Sequence, residues 1–359
     1  MMSTDRQFHV LFVDDEPKVL GGLRRTLYPE RNRWVARFAS GAAEATALMR
    51  AEQIDVIVTD MRMPGEDGVE LLEIVAKGHP GTTRLVLSGQ SDSERSLRAA
   101  RIAHQFLAKP IATQQLLGTI ARLARLHARL RDDRLRHIAA APTLPGISSV
   151  VLAELCDLLS RSATAPTVAR CIERDPVLTA KLLQLVNSGF FAPAFTTTSI
   201  DDAIRVVGTD ILRRLVGTRE IESAAALSAT NPLIQRELIV AATAARIARR
   251  ISAPVLAADA GVVALLDGIE RILVLQHPEA ALSTDRALSG YLLDLWGLPE
   301  HLVDAVSRDP DGNSNTLPAQ LGSLAFTARQ LAEGNVPRGA ESFAGIADEE
   351  RAADGEGAA

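Results

Sequence analysis

Through residue 117, apolar runs of strand length alternate with stretches whose apolar residues recur at helical spacing. The runs at 8–13 (FHVLFV), 34–39, 54–59, 83–88 (TRLVLS) and 104–108 are mostly apolar, the pattern of parallel strands covered on both faces. Between the first two, Val19, Leu20, Leu23 and Leu27 fall on one stripe of a helix over 17–27, read as core. This alternation predicts a five-stranded parallel, doubly wound α/β sheet with helices on both faces.

Beyond it the period changes. From Thr113, the residues Leu116, Ile120, Leu123, His127 and Leu130 keep a four-three spacing, predicting one helix that runs on to about residue 138 as a coiled-coil-like seam. Ala139-Ala140-Ala141-Pro142 and Pro145-Gly146 break it. Residues 142–335 read as all-α. Leu152, Leu155, Leu158 and Leu159 share one helix face, and residues 164–172 form another helix. Asp175-Pro176 is an N-cap followed by proline at the first helical position, and Ser199-Ile200-Asp201-Asp202 is a capping-box-like start. After residue 335 the chain turns to Gly, Ala and acids, which predicts disorder. The expected division is 6–120, a helical connector 121–141, a helical domain 142–335 and a tail 336–359.

The chemistry gathers at strand ends. Asp14 and Asp15 end the first strand, ahead of Glu16-Pro17, a helix start. Asp60 ends the third, before the turn residues Pro64, Gly65 and Gly68. Ser88 ends the fourth, and Lys109, before Pro110, follows the fifth. Open α/β sheets place their ligands at this edge. Three converging carboxylates repel one another, and a hard oxygen-seeking cation such as Mg2+ relieves that. A carboxylate nucleophile, a metal, a hydroxyl and an ammonium together suit phosphoryl transfer.

Residues 6 to about 120 resemble a two-component response-regulator receiver domain, which has the flavodoxin-like fold. The resemblance implies that Asp60 is the phosphoacceptor, that Asp14 and Asp15 bind Mg2+, and that the backbone carbonyl of Arg62 is the metal's third protein ligand besides. It implies that Ser88 is the switch hydroxyl, that Lys109 contacts the phosphoryl group, and that Phe106 is the rotating aromatic. Phe106 lacks the hydroxyl of a tyrosine at that place. The partner implied is a cognate histidine kinase.

The helical region resembles an HDOD domain, the output module related to HD phosphohydrolases. The segments LPGISSVVLAELCDLL, CIERDPVLTAKLLQLVNSGFF and SIDDAIRVVGTDILRRLV carry the resemblance, with YLLDLWGLPEHLVDAV matching a later helix pair. Active HD enzymes hold a metal with histidines and aspartates from several helices. By its apolar frame, ALLDGIERILVL aligns with their His-Asp strip, but the pair here is Asp267-Gly268, and only His277 and His301 occur in the domain, in expected loop or cap roles. The expectation is a non-catalytic output that binds a protein partner. The alternative is an HD-type phosphohydrolase or cyclic di-nucleotide phosphodiesterase, which lacks support from any Gly-Tyr-Pro sequence.

Composition narrows the rest. Net charge is −5 and aromatics are 4%, which gives no reason to expect a nucleic-acid partner. Six arginines between Arg122 and Arg136 leave DNA binding as an alternative, though a solvated face is the expected reading, with a homodimer contact through 113–138. No apolar run is long enough to span a bilayer and no signal peptide is read, so the cytoplasm is expected. Cys156 and Cys171 read as buried thiols.

Overall fold

The computed structural model describes residues 7–65, 67–88, 98–99, 102–130, 132–141, 144–188, 191, 196–278, 287–307 and 316–356. The chain divides into two compact units, 1–142 with 188–192 and 143–187 with 193–359.

In the first unit, β1 (Phe8–Val13), β2 (Trp34–Ala39), β3 (Val56–Asp60), β4 (Thr83–Ser88) and β5 (Gln105–Ala108) form one parallel sheet in the order β2-β1-β3-β4-β5. Every residue of β3 is buried, as its apolar run requires. Helices α1 (Pro17–Leu27), α2 (Ala42–Ala51) and α3 (Gly68–Gly78) connect the early strands. Of the expected α1 stripe, Leu20 and Leu27 are buried, while Val19 and Leu23 are partly covered. An Asp67–Glu70 capping box starts α3: the Asp67 carboxylate accepts the Glu70 N–H and Glu70 accepts the Asp67 N–H.

The expected continuous helix is corrected. Helix α4 (Thr113–Arg129) ends at Leu130, and a separate α5 (Asp133–Ala140) starts on Asp132, whose carboxylate caps the Arg134 N–H. The seam residues Leu116, Ile120, Leu123, His127 and Leu130 are all buried, as are Leu135, Ala139 and Ala140. Their four-three spacing therefore marks packing within the chain. Arg136 of α5 donates to the His127 carbonyl at the end of α4, so Arg122, Arg125 and Arg129 lie on one helix and Arg134 and Arg136 on another.

The second unit is helical: α6 (Ser149–Ser160), α7 (Ala165–Ile172), α8 (Pro176–Val186), α9 (Ile200–Val207), α10 (Thr209–Val216), α11 (Arg219–Ala229), α12 (Pro232–Ile251), α13 (Ala257–Leu266), α14 (Gly268–Gln276), α15 (Ala287–Leu295), α16 (Glu300–Ser307), α17 (Leu317–Ala332) and α18 (Ala344–Glu356). Helix α8 is buried on all sides, and α12 packs against α14 through Ile234, Leu238 and Ile272. Asp175 caps α8 as expected, accepting the Val177 and Leu178 N–H groups, and also accepts the Ser148 N–H that opens α6. Ser199 caps α9 through the Asp202 N–H. Cys171 is buried, but Cys156 is exposed, against expectation.

The expected disordered tail is also corrected. Glu341–Phe343 forms a turn of 3-10 helix leading into α18. There Glu350 pairs with Arg246 at 2.7 Å and Arg250 at 2.9 Å, Asp354 with Arg246 at 2.6 Å, and Ala347 is fully buried. The acids that make the segment look unfoldable alone are neutralised by arginines of α12.

Candidate functional site

Strand pairing builds the site. Val13 of β1 lies opposite Thr59 of β3, so the residues that follow, Asp14 and Asp60, come side by side at the carboxyl edge of the sheet. With Asp15 they place carboxylate oxygens within 4.8 Å of one another. Asp14 is 1% exposed and Asp60 9%. The Asp14 N–H donates to the Ala39 carbonyl at 3.2 Å and its Oδ1 accepts the Glu16 N–H at 2.9 Å, which fixes the side chain.

Lys109, just past β5, reaches back across β4. Its Nζ lies 2.8 Å from Asp60 Oδ1 and 3.1 Å from Asp14 Oδ2. Burial works against its charge, but the hydrogen bonds and charges of Asp60 and Asp14 outweigh that and raise its pKa above the usual lysine value. One ammonium thus meets two of three carboxylates, and the cluster keeps an excess of negative charge. All three donors are hard oxygens at a loop mouth, a set that fits a divalent cation such as Mg2+.

The backbone around Asp60 is held on both sides. Thr59 Oγ1 donates to the Asp60 carbonyl at 3.0 Å, and the Met61 N–H to the Leu87 carbonyl at 3.3 Å. Gly68, the first residue of α3, packs so closely that a Cβ there would lie 2.0 Å from the Asp60 carbonyl oxygen. Its role is close approach, where the sequence suggested only a turn. Gly65 does take a turn conformation, with φ +86°.

Of the other expected residues, Ser88 closes β4 opposite Ala108 of β5, between the strands that deliver Asp60 and Lys109. Its side chain lies outside the described residues. Phe106 is buried on β5 opposite Val86. Arg62 is exposed on the turn after β3. Sequence reasoning missed Arg84, a β4 residue 1% exposed, because a lone arginine in an apolar strand carries no pattern.

In the helical unit Asp267 links α13 and α14. A Cβ at Gly268 would meet the Ala241 Cβ at 2.7 Å, so this position is a helix–helix contact. His277 follows α14 as expected of a cap. His301, expected in a loop or cap, instead sits on α16 with Nε2 3.6 Å from Asp259 Oδ2, and Thr198 Oγ1 donates to the same carboxylate at 2.5 Å. The His301 imidazole beside it, helped by the Thr198 hydrogen bond, holds the Asp259 pKa below the usual carboxylate value, although burial opposes it. Among the described residues, the one grouping of histidine, cysteine and acid side chains that could hold an ion is Asp14, Asp15 and Asp60.

Comparison with known proteins agrees with this geometry. Residues 10–121 match the response regulator receiver domain family and residues 142–285 the HDOD domain family. The hydrogenase transcriptional regulatory protein HoxA of Cupriavidus necator is 39% identical over 119 residues, covering 33% of this chain and 24% of that protein. The nitrogen assimilation regulatory protein NtrX of Azorhizobium caulinodans is 32% identical over 146 residues, covering 40% of this chain and 32% of that protein. The chain thus spans about a quarter to a third of the length of these relatives. Among solved structures, the signal receiver domain of an HD domain-containing protein from Pseudomonas fluorescens is 26% identical, with TM-score 0.34, covering 36% of this chain and 96% of that one.

The first unit is therefore a receiver domain of the response-regulator class. An HDOD domain follows it, so the chain carries the two domains in the order receiver, then HDOD. No helix among the described residues is long and apolar enough to cross a membrane.

Proposed function

We propose that Asp60 accepts a phosphoryl group from a histidine kinase in the cytoplasm and that the HDOD domain converts this event into binding or release of a protein partner. In the transfer, the bond from phosphorus to the donor imidazole nitrogen breaks as a bond to an Asp60 carboxylate oxygen forms. The carrying observation is the juxtaposition of Asp60 with Asp14, Asp15 and Lys109 at the sheet's carboxyl edge. Mg2+ held by Asp14, Asp15, Asp60 and the Arg62 carbonyl would supply charge neutralisation on the transferring group. Lys109 binds one of its oxygens, and Ser88 and Phe106 respond to the new charge.

A non-catalytic output is supported by the Asp267-Gly268 pair, where the HD resemblance calls for His-Asp and where close packing on Ala241 leaves no room for a larger side chain at 268. The test uses the full chain with Mg2+ and a small phosphodonor such as acetyl phosphate. Intact mass should increase by one phosphoryl group, and the increment should vanish with EDTA or in Asp60→Asn. Equal labelling of Asp60→Asn would overturn the assignment.

A further inference from the structure

Arg84 stands near the start of β4, whose last residue is Ser88. Its guanidinium is buried and holds carbonyls from three separate places. Nε donates to the Ile102 carbonyl at 2.8 Å, three residues ahead of β5. Nη1 donates to the Thr82 carbonyl at 3.2 Å, and Nη2 to the Ala140 carbonyl at 2.8 Å. Ala140 is the last residue of α5, and the helical unit begins at Thr143. The Arg84 backbone N–H donates to His104 Nδ1 at 2.9 Å, which ties the same residue to the β5 approach.

Among the described residues no carboxylate pairs with this guanidinium, and burial depresses its pKa to about 10. Its donors are met instead by backbone carbonyls, with His104 Nε2 also 3.1 Å from Nη2. A guanidinium is a planar fork, so its donors cannot move independently. If the Ile102 carbonyl shifts, the fork tilts, and the bond to Ala140 must lengthen or carry the end of α5 along. A displacement at Ile102 is therefore felt at Ala140, which is the property a coupling element needs.

We propose that Arg84 is a positioning residue that couples the receiver site to the connector, by clamping the end of α5 to β4 and to Ile102, just ahead of β5. This rests on the reading of Asp60 as phosphoacceptor. The route to the output then runs through the buried face of β4 and not along a continuous helix.

The experiment is hydrogen exchange on the full chain with and without Mg2+ and beryllofluoride, comparing wild type with Arg84→Lys, which keeps the charge and loses the fork. Beryllofluoride binding is followed separately by fluorine NMR. In wild type, exchange of α5 amides should change by at least about fivefold on binding. In Arg84→Lys, binding should persist while the α5 response falls toward none. An unchanged α5 response in Arg84→Lys overturns the proposal, as does a wild type that binds beryllofluoride with no α5 response; in both cases the Asp60 reading stands. A wild type that binds no beryllofluoride sinks both, and the fluorine signal tells the cases apart. If Arg84→Lys does not fold, the Arg84 Nε–H resonance in wild type carries the test: a shift on adding beryllofluoride supports the clamp, and an unmoved resonance overturns it.

Discussion

Gly68 supports Asp60 by the side chain it lacks: the backbone of α3's first residue lies against the Asp60 carbonyl, leaving no space for a Cβ. Gly68→Ala should push α3 away from β3 at a cost of about 1–3 kcal/mol. It should also slow phosphorylation of Asp60, because the carboxylate leaves its place beside Asp14 and Lys109. Urea unfolding read together with intact-mass labelling checks this. A variant labelled at the wild-type rate would show that the contact is merely structural.

The Arg329 guanidinium donates to both Glu237 oxygens, at 2.5 and 2.6 Å, joining α17 to α12 in the buried interior. Burial opposes its charge, but Glu237 and Glu333 outweigh this and raise its pKa. Arg329→Met should cost about 3–5 kcal/mol, since it strands a buried carboxylate. Adding Glu237→Leu to that variant should recover much of the loss. Urea midpoints of both variants provide the comparison, and a double variant no better than the single one would refute the account.

Asp175 gives the helical unit a pH dependence. Burial pushes its carboxyl from 3.8 up to about 6, against the pull of the Leu178, Ser148 and Val177 N–H groups. The folded chain therefore holds this proton more tightly than the unfolded chain. The stability from this group is fully present below about pH 4, is lost as pH rises through about 6, and is flat above. The shift corresponds to an order of magnitude of about 3 kcal/mol. Relative to Asp175→Asn, which does not titrate, wild type should gain stability between about pH 7 and pH 5. A constant difference between the two across that range would contradict the assignment.

Helix α18 buries Ala347, bonds to Leu331 and Thr243 through Arg351 and Asp354, and makes ion pairs from Glu349, Glu350 and Asp354 to Arg246 and Arg250. Such pairs contribute about 0.2–1 kcal/mol each and weaken with salt. Arg246→Ala with Arg250→Ala should speed hydrogen exchange across 344–356 while the unfolding midpoint of the chain hardly moves. Molar salt should do the same to wild type.

The receiver fold was legible because its strands are apolar runs closed by turns and because five functional residues fall at or just past strand ends. The Asp175 and Ser199 caps were legible for the same local reason. The α4–α5 break was not, since the spacing of Leu116, Ile120, Leu123, His127 and Leu130 is identical whether the stripe meets another chain or its own sheet. Helix α18 was hidden because its acids lower helix expectation until Arg246 and Arg250, about a hundred residues earlier in sequence, supply opposite charge. Arg84 and the second acceptor role of Asp175 depend on carbonyls and amides brought together only by folding.

The Arg329–Glu237 pair has a bearing on where the helical unit ends. The HDOD match closes at residue 285, yet the cation that neutralises Glu237 comes from a helix beyond it. A fragment cut at the match boundary would carry an orphaned acid in its interior and should fold poorly near neutral pH. The stretch inherited as a recognisable family and the stretch that folds as one body therefore have different limits, and the later helices are part of the domain's architecture rather than an appendage.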